Sequence, residues 1–362
     1  MARMTVGPLG RRALGPSTGL VVTSPAPFDA WTQVWEAAPG AMPFQSPTWL
    51  RCVCEVGGWD DASRLYRTPD GRRLVLPMVR RRLLHSPFTQ LEALPDGWGP
   101  GGLLVEQGEV RPEDVRLVMA DLAREHALRA TVRPDPTTAA VWHAGMPAGV
   151  RAVPRMSQTV ALDGGFDAVW GRFRSDTRNR VRKARKAGVV VERDDTGRLA
   201  PIFADLYAKS VVRWAERDGE SVAAAREWAA RREPPRKLAT VAARLGAGCR
   251  IYGAFVDGRP AAAIVVLQGP ATVAYWRGAM DDDLAGRTYA NYLLHSTAIE
   301  DAAEAGRTVY HMGDSAPDSS LSLFKSRFGA VERRYASYRL ESVPVVLARS
   351  ARRGVRRALR RA

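Results

Sequence analysis

The residues best suited to chemistry in this 362-residue chain cluster in one stretch, 308–330, TVYHMGDSAPDSSLSLFKSRFGA. Val309, His311 and Gly313 alternate with Tyr310, Met312 and Asp314, the period of a strand. Gly313-Asp314-Ser315 makes a small polar turn, and the short helix predicted after it stops at Gly329. Leu321, Phe324 and Phe328 recur at i, i+3 and i+7 as one apolar stripe, and Lys325 stands at its edge. A lysine there either snorkels to water or aims its ammonium into a cleft. No Ser-His-Asp or Cys-His constellation accompanies it, so nothing predicts a covalent acyl-enzyme. The three cysteines form no C-x-x-C, and the five histidines have no ligand spacing, so neither a disulfide framework nor a metal is expected.

Phe324-Lys325-x-x-Phe328-Gly329, after a strand and a small polar turn, resembles the last segment of the FemAB-like acyltransferases of the GNAT superfamily. A second motif, RNRVRKARKAGVV at 178–190, resembles the same family's basic helix followed by Ala, Gly and valines. The likeness covers 157–340 well and 28–155 loosely, where Phe44-Gln45 and Trp49 resemble the family's entry segment. It implies an α/β fold with a mixed sheet, two GNAT-like units in tandem, and transfer of an acyl or aminoacyl group to an amine. The donor implied is acyl-CoA or aminoacyl-tRNA.

The elements fit that expectation. At 362 residues two domains are expected, and 46% apolar content is that of a globular protein. The division predicted is a disordered Gly/Pro/Arg tail at 1–25, a first unit at 26–156, a second at 157–342 and a basic tail at 343–362. The first unit carries a hairpin about Pro69-Asp70-Gly71 and an amphipathic helix at Glu113–His126. In the second, a strand at 157–162 precedes one helix over 166–187, then helices at 201–214 and 221–245, the latter broken at Glu233-Pro234-Pro235. Three strands follow at 249–256, 259–267 and 272–279, then a helix at 288–305 and the strand described first.

Net charge is +16, which favours phosphate-bearing partners such as tRNA, CoA, an anionic membrane or a small anionic acceptor. Arg174, Arg178, Arg182 and Arg185, with Lys183, line one face of the basic helix, a predicted surface for RNA or substrate. The C-terminal ARSARRGVRRALRRA suits an anionic membrane surface or RNA. The longest apolar run, Ala261–Leu267, is too short to span a bilayer, and no signal peptide is read at the N-terminus. A cytoplasmic protein, peripheral at most to the membrane, is expected.

The resemblance also places the chemistry. In GNAT domains the donor's tail lies where two strands splay, here 272–279 and 308–313. Tyr275, His311, Asp314 and Lys325 are thereby the implied catalytic residues, Lys325 stabilising the charge of acyl transfer or the donor's phosphates. Trp276 is assigned to substrate, and Arg277, Gly286, Arg287, Asn291 and Phe324 to the donor. The family's pyrophosphate loop falls on DLAGRTYAN at 283–291, where only Gly286 fits the glycine pattern and Asp283 stands where phosphate would sit. That departure leans away from CoA, whereas the superfamily leans toward it. The alternative is a non-catalytic RNA- or membrane-binding protein on the same scaffold, with a steep salt dependence and no product.

Overall fold

A computed structural model of the chain describes residues 10–13, 20–83 and 88–342. Two compact units are present: one takes the described residues up to Pro39, Gln45–Arg155 and those from Arg334, the other Gly40–Phe44 and Met156–Arg333. The predicted C-terminal basic tail lies outside the described residues.

The first unit begins with Gly10–Ala13 (β1) and Val21–Ser24 (β2), paired antiparallel with Gly10 opposite Ser24. The sequence predicts an unstructured tail over these residues, and backbone pairing plus burial of Leu20 and Val22 overrides that composition. Helices Phe28–Ala37 (α1) and Pro47–Gly57 (α2) follow, the latter capped by the Ser46 side chain. Asp60–Asp61 (β3), Arg64–Arg67 (β4), Arg73–Leu76 (β5), Val79–Arg82 (β6), Thr89–Ala93 (β7), Leu104–Val105 (β8), Ala127–Val132 (β9) and most of Val331–Glu341 (β16), which pairs antiparallel with β9, supply its other described strands. The predicted hairpin is β4–β5, with Arg64 opposite Leu76. Pro112–Leu122 (α3) and Ala139–Gly145 (α4) pack Val115, Val118, Leu122 and Trp142 into its core with Tyr66, Leu74 and Leu91.

In the second unit the strands run in the order Val190–Asp194 (β11), Cys249–Val256 (β12), Arg259–Gln268 (β13), Thr272–Met280 (β14), Val309–Asp314 (β15) and Arg151–Ala161 (β10). Neighbours are antiparallel except β14 and β15, which run parallel. Side chains alternate across this sheet. Tyr252, Ile264, Val273 and Tyr310 share one core with Gly165–Arg172 (α5), Ser175–Lys186 (α6) and Ala290–Glu304 (α11). Residues of the opposite parity, among them Ile251, Val265 and Ala274, are buried on the other face, where Ala200–Asp218 (α7) and Pro235–Leu245 (α9) pack against the strands. Val222–Arg232 (α8) lies between them in sequence.

Two predicted elements differ. The single helix over 166–187 is two, α5 and α6, because Phe173 is extended and the Arg174 N–H donates to the Arg327 carbonyl at 2.9 Å. Residues 282–288 form a helix, Asp282–Thr288 (α10), capped by the Asp281 side chain, instead of an open loop. Among the described residues no helix is long and apolar enough to cross a membrane, and no group of side chains could hold a metal.

Candidate active site

The parallel pair β14–β15 holds register over only three positions, Thr272–Val309, Val273–Tyr310 and Ala274–His311. Immediately beyond, β14 bulges against β13: Val265 faces Arg277 and Val266 faces Tyr275, leaving Trp276 as the extra residue. A bulge bends its strand and re-aims its side chains, so the pairing with β15 ends there. The two strands therefore part beside Tyr275, Trp276 and Gly313.

Lys325 reaches this place from Ser320–Ser326 (α12), whose N-cap is the Ser319 hydroxyl. Its Nζ donates to the carbonyls of Gly313 (2.8 Å) and Asp314 (2.9 Å), at the end of β15. Gly313 has φ +73°, which turns that carbonyl out of the strand at a backbone angle glycine alone adopts freely. Only 2% of Lys325 is exposed, and burial lowers its ammonium to about 8 against the partial support of Asp314. The lysine does not snorkel. Of the predicted stripe, Phe328 is buried and Phe324 packs against the core, but Leu321 is 45% exposed, and Ser322 and Lys325 turn inward in its place. Gln158 of β10 fixes the segment, donating from Nε2 to the Ser322 carbonyl (3.0 Å) and accepting from the Ser315 hydroxyl (3.0 Å).

Around Lys325 the sheet presents an aromatic cluster. His295 of α11 lies 4.9 Å from Tyr275, 5.3 Å from Phe324 and 5.6 Å from Phe328 between ring centres. Burial, with the Lys325 charge beside it, pushes the His295 imidazole down to about 3, so it is neutral. Its Nδ1 is enclosed without a hydrogen-bond partner. Burial raises the Tyr275 phenol to about 12, leaving it a protonated donor. Gly278 is required here, since a Cβ at that position would collide with the Tyr275 hydroxyl.

The other predicted residues separate. His311 is buried but pairs in register with Ala274, so it points to the face opposite Tyr275 and Tyr310. The two therefore do not act on one atom from one side. Asp314 contributes its carbonyl to Lys325, while its carboxylate is exposed. Trp276 also turns to the second face, its ring 5.5 Å from Lys237 Nζ and 5.2 Å from the Arg277 guanidinium. Both cations are tied to Glu233. Phe324 packs on Tyr292 at 5.1 Å.

The predicted phosphate loop is replaced by α10, whose first turn carries Asp282 and Asp283, so that helix end repels phosphate. Gly286 and Arg287 are exposed, and Arg287 Nε donates to the Asp283 carbonyl at 2.8 Å. Asn291 instead opens α11, beside Tyr289. Over the Tyr289 ring stand Arg180 at 5.9 Å and Lys183 at 6.0 Å.

The basic ridge is more divided than its sequence suggests. Arg178 donates to the carbonyls of Trp170, Gly171 and Phe173, closing the end of α5. Arg174 pairs with Asp176 at 3.4 Å and Arg185 with Glu300 at 3.7 Å. Arg182 bonds Asn179 and lies over Trp170.

Residues 171–319 match the family described as acetyltransferase (GNAT) domain. They form a GNAT acyltransferase domain. No curated protein matches the chain. Among solved structures, that of FemX is similar at a TM-score of 0.66 and 15% identity, covering 89% of this chain and 97% of that one. A conserved protein of unknown function from Bacteroides thetaiotaomicron VPI-5482 gives 0.54 and 11%, covering 86% and 93%. The C-terminal domain (DUF2156) of a lysylphosphatidylglycerol synthetase candidate from Agrobacterium fabrum gives 0.51 and 14%, covering 87% and 94%. At these identities the likeness is one of fold, the mixed α/β fold expected from the two motifs.

The second unit thus places Lys325, Tyr275 and Phe324 on one face of the sheet, with His311 and Trp276 on the other, Phe324 and Lys325 lying just beyond the matched residues. His295, Gln158, Glu233 and Lys237 had no sequence signal. Only tertiary packing brings them to the parting strands.

Proposed function

We propose that the GNAT domain transfers an acyl or aminoacyl group to an amine by direct attack, with acyl-CoA or aminoacyl-tRNA as donor. The observation that carries this reading is the Lys325 ammonium, fixed by two carbonyls at the point where β14 and β15 part. Two of its three N–H bonds are assigned there, and the third is suited to a developing oxyanion or a leaving oxygen or sulfur. In the reaction the amine nitrogen bonds to the donor carbonyl carbon. The thioester C–S or ester C–O bond then breaks, and the proton shed by the amine ends on the departing thiol or hydroxyl.

Tyr275, kept protonated by burial, is suited to supply a proton to that leaving group. His295 is assigned no proton transfer. Its neutral ring and the flanking phenylalanines exclude water around Lys325, which strengthens the lysine's field.

Either donor brings phosphates, and the opening of α11 is the place suited to them, with Arg180, Lys183 and Arg287 of the neighbouring elements and Asn291 in its first turn. The exposed members of the ridge, Arg174, Arg182, Lys183 and Arg185, are then the docking surface for a tRNA donor. The test supplies the full chain with labelled acetyl-CoA or labelled aminoacyl-tRNA and a mixture of amine acceptors. Label is expected in an amide product from one donor, and not with Lys325→Met. Transfer that survives in Lys325→Met removes the assigned role.

A further inference from the structure

The first unit carries a polar sheet face that the transferase reading does not use. β7, β9 and β16 run side by side. Their registers put Glu92, Thr131 and Arg339 in one row, and Gln90, Arg129 and Glu341 in the next. Side chains opposite one another in register share a face. Residues of the other parity, Leu91, Ala130, Val132 and Tyr338, fill the core with α3 and α4. The face turned away from that core is therefore built of charged and hydroxyl groups.

Its bonds are incomplete. Glu92 accepts from Arg129 at 3.1 Å and from the Gln90 amide, and Glu341 pairs with Arg151 of β10 at 3.4 Å. Among the described residues no carboxylate lies within ion-pair distance of Arg339. Its Nε is enclosed without a hydrogen-bond partner, and so is the Nε of Arg129. Beside both, the Thr131 hydroxyl also lacks a partner, on a residue only 8% exposed. Three unanswered polar groups at neighbouring positions of one face call for a common acceptor. Burial, with Arg129 and Arg151 repelling it, makes the Arg339 guanidinium release its proton more readily than usual, against the partial support of Glu92 and Glu341. Three arginines thus face two glutamates. A water molecule would answer the hydrogen bonds and leave the excess charge, whereas an oxyanion answers both.

We propose that Arg339, Arg129 and Thr131 form a binding site for an oxyanion, the carboxylate or phosphate group of a small molecule. The two guanidinium groups donate charged N–H bonds to it, and the Thr131 hydroxyl donates a neutral one. Glu92 is the positioning residue, holding Arg129 from the β7 side. The site belongs to the first unit, outside residues 171–319, and stands whether or not the transferase reading does.

The test reads the two arginines directly. The full chain, labelled with ¹⁵N at arginine, is titrated with inorganic phosphate and, separately, with malonate, at constant ionic strength. The Nε–H resonances of Arg339 and Arg129 are followed by NMR, each assigned by its loss in the Arg339→Lys or Arg129→Lys variant. Both are expected to shift saturably with one common midpoint. Thr131→Val keeps the shape of the side chain without its hydroxyl, and is expected to raise that midpoint about tenfold, the loss of one hydrogen bond to a charged group. Arg80→Gln removes an exposed charge from β6, at a position of the other parity, and is expected to leave it unchanged. A lower midpoint for phosphate assigns a phosphate group to the ligand, and a lower one for malonate assigns a carboxylate. Resonances that stay still, drift linearly without saturating, or titrate with different midpoints overturn the proposal. So does a Thr131→Val midpoint equal to wild type, or an equal rise in Arg80→Gln.

Discussion

Lys325 lies on one face of the sheet of the second unit and Lys237 on the other, each 2% exposed and each with its ammonium pushed down to about 8 by burial. Their surroundings differ in one respect. Lys325 donates to two backbone carbonyls, whereas Lys237 donates to one carbonyl and to the Glu233 carboxylate. Carbonyl dipoles hold a cation in place without cancelling it, so its field remains for a substrate. A carboxylate cancels most of that field and turns the lysine into part of a scaffold. Equal burial and equal acidity therefore signify different tasks. The partner atoms decide which lysine meets the reaction and which one braces an arginine.

The largest effect expected from this contrast is on stability at Glu233. Glu233→Ala removes the carboxylate shared by the buried Lys237 and the partly exposed Arg277, which costs about 3–5 kcal/mol where a buried pair loses one partner. A fall in denaturation midpoint with unchanged m-value checks it, and a midpoint equal to wild type would break the comparison. At Lys325 the rate is expected to respond instead. Lys325→Met lowers transfer about 10²–10³-fold, the range for loss of one oxyanion donor. Its melting temperature moves little, since relief of charge burial offsets the two carbonyls left without that donor. Lys237→Met is expected to show the reverse pattern, with the rate at saturating acceptor near wild type. Single-turnover rates and melting curves of the two methionine variants, measured together, decide the point.

The two lysines also mark what the sequence can and cannot disclose. Lys325 was legible because its neighbours Phe324, Phe328 and Gly329 form a local motif after a strand. Its inward direction was not, because periodicity put Leu321 on the buried side, where the structure leaves Leu321 and Leu323 exposed. A short helix pinned at both ends, by Gln158 to Ser322 and by Arg327 to Arg174, obeys those ties before its own amphipathicity. The three antiparallel strands and the helix over 290–304 were readable from turns and periods. Lys237 had no such signal: its meaning comes from Trp276 and Arg277, and Arg277 reaches Glu233 across 44 positions. The same holds for Gln158, which bonds across 164 positions, and for His295, which reads as one more residue of a buried helix.

A smaller effect should follow pH, with opposite signs in rate and stability. The folded value of Lys325, about 8, lies below the ordinary 10.5, so the folded state binds that proton more weakly than the unfolded chain. Its burial penalty is fully present below about 8 and is relieved as pH rises from there toward 10.5. Lys237 acts in the same direction over the same window. Stability should therefore gain from both lysines above pH 8, while transfer, which needs the Lys325 ammonium, falls about tenfold per unit. In Lys325→Met the descending limb of the residual rate should vanish. A limb unchanged in that variant would assign it to another group.

The smallest effect separates two arginines four residues apart on α6. Arg178 closes the end of α5 through three carbonyls, so Arg178→Ala should lower stability by about 1–2 kcal/mol, as loss of a charged hydrogen-bond cap does. Arg182, which bonds Asn179 and lies over Trp170, should change it by less than about 0.5 kcal/mol when replaced by alanine. Binding to tRNA, measured against salt, should sort them the other way. Loss of Arg182 removes an outward charge and reduces the salt slope by about one phosphate contact, whereas Arg178 is already turned to the end of α5. If Arg178→Ala flattens the slope as much as Arg182→Ala does, the ridge acts as one surface, and its internal bonds open when nucleic acid binds.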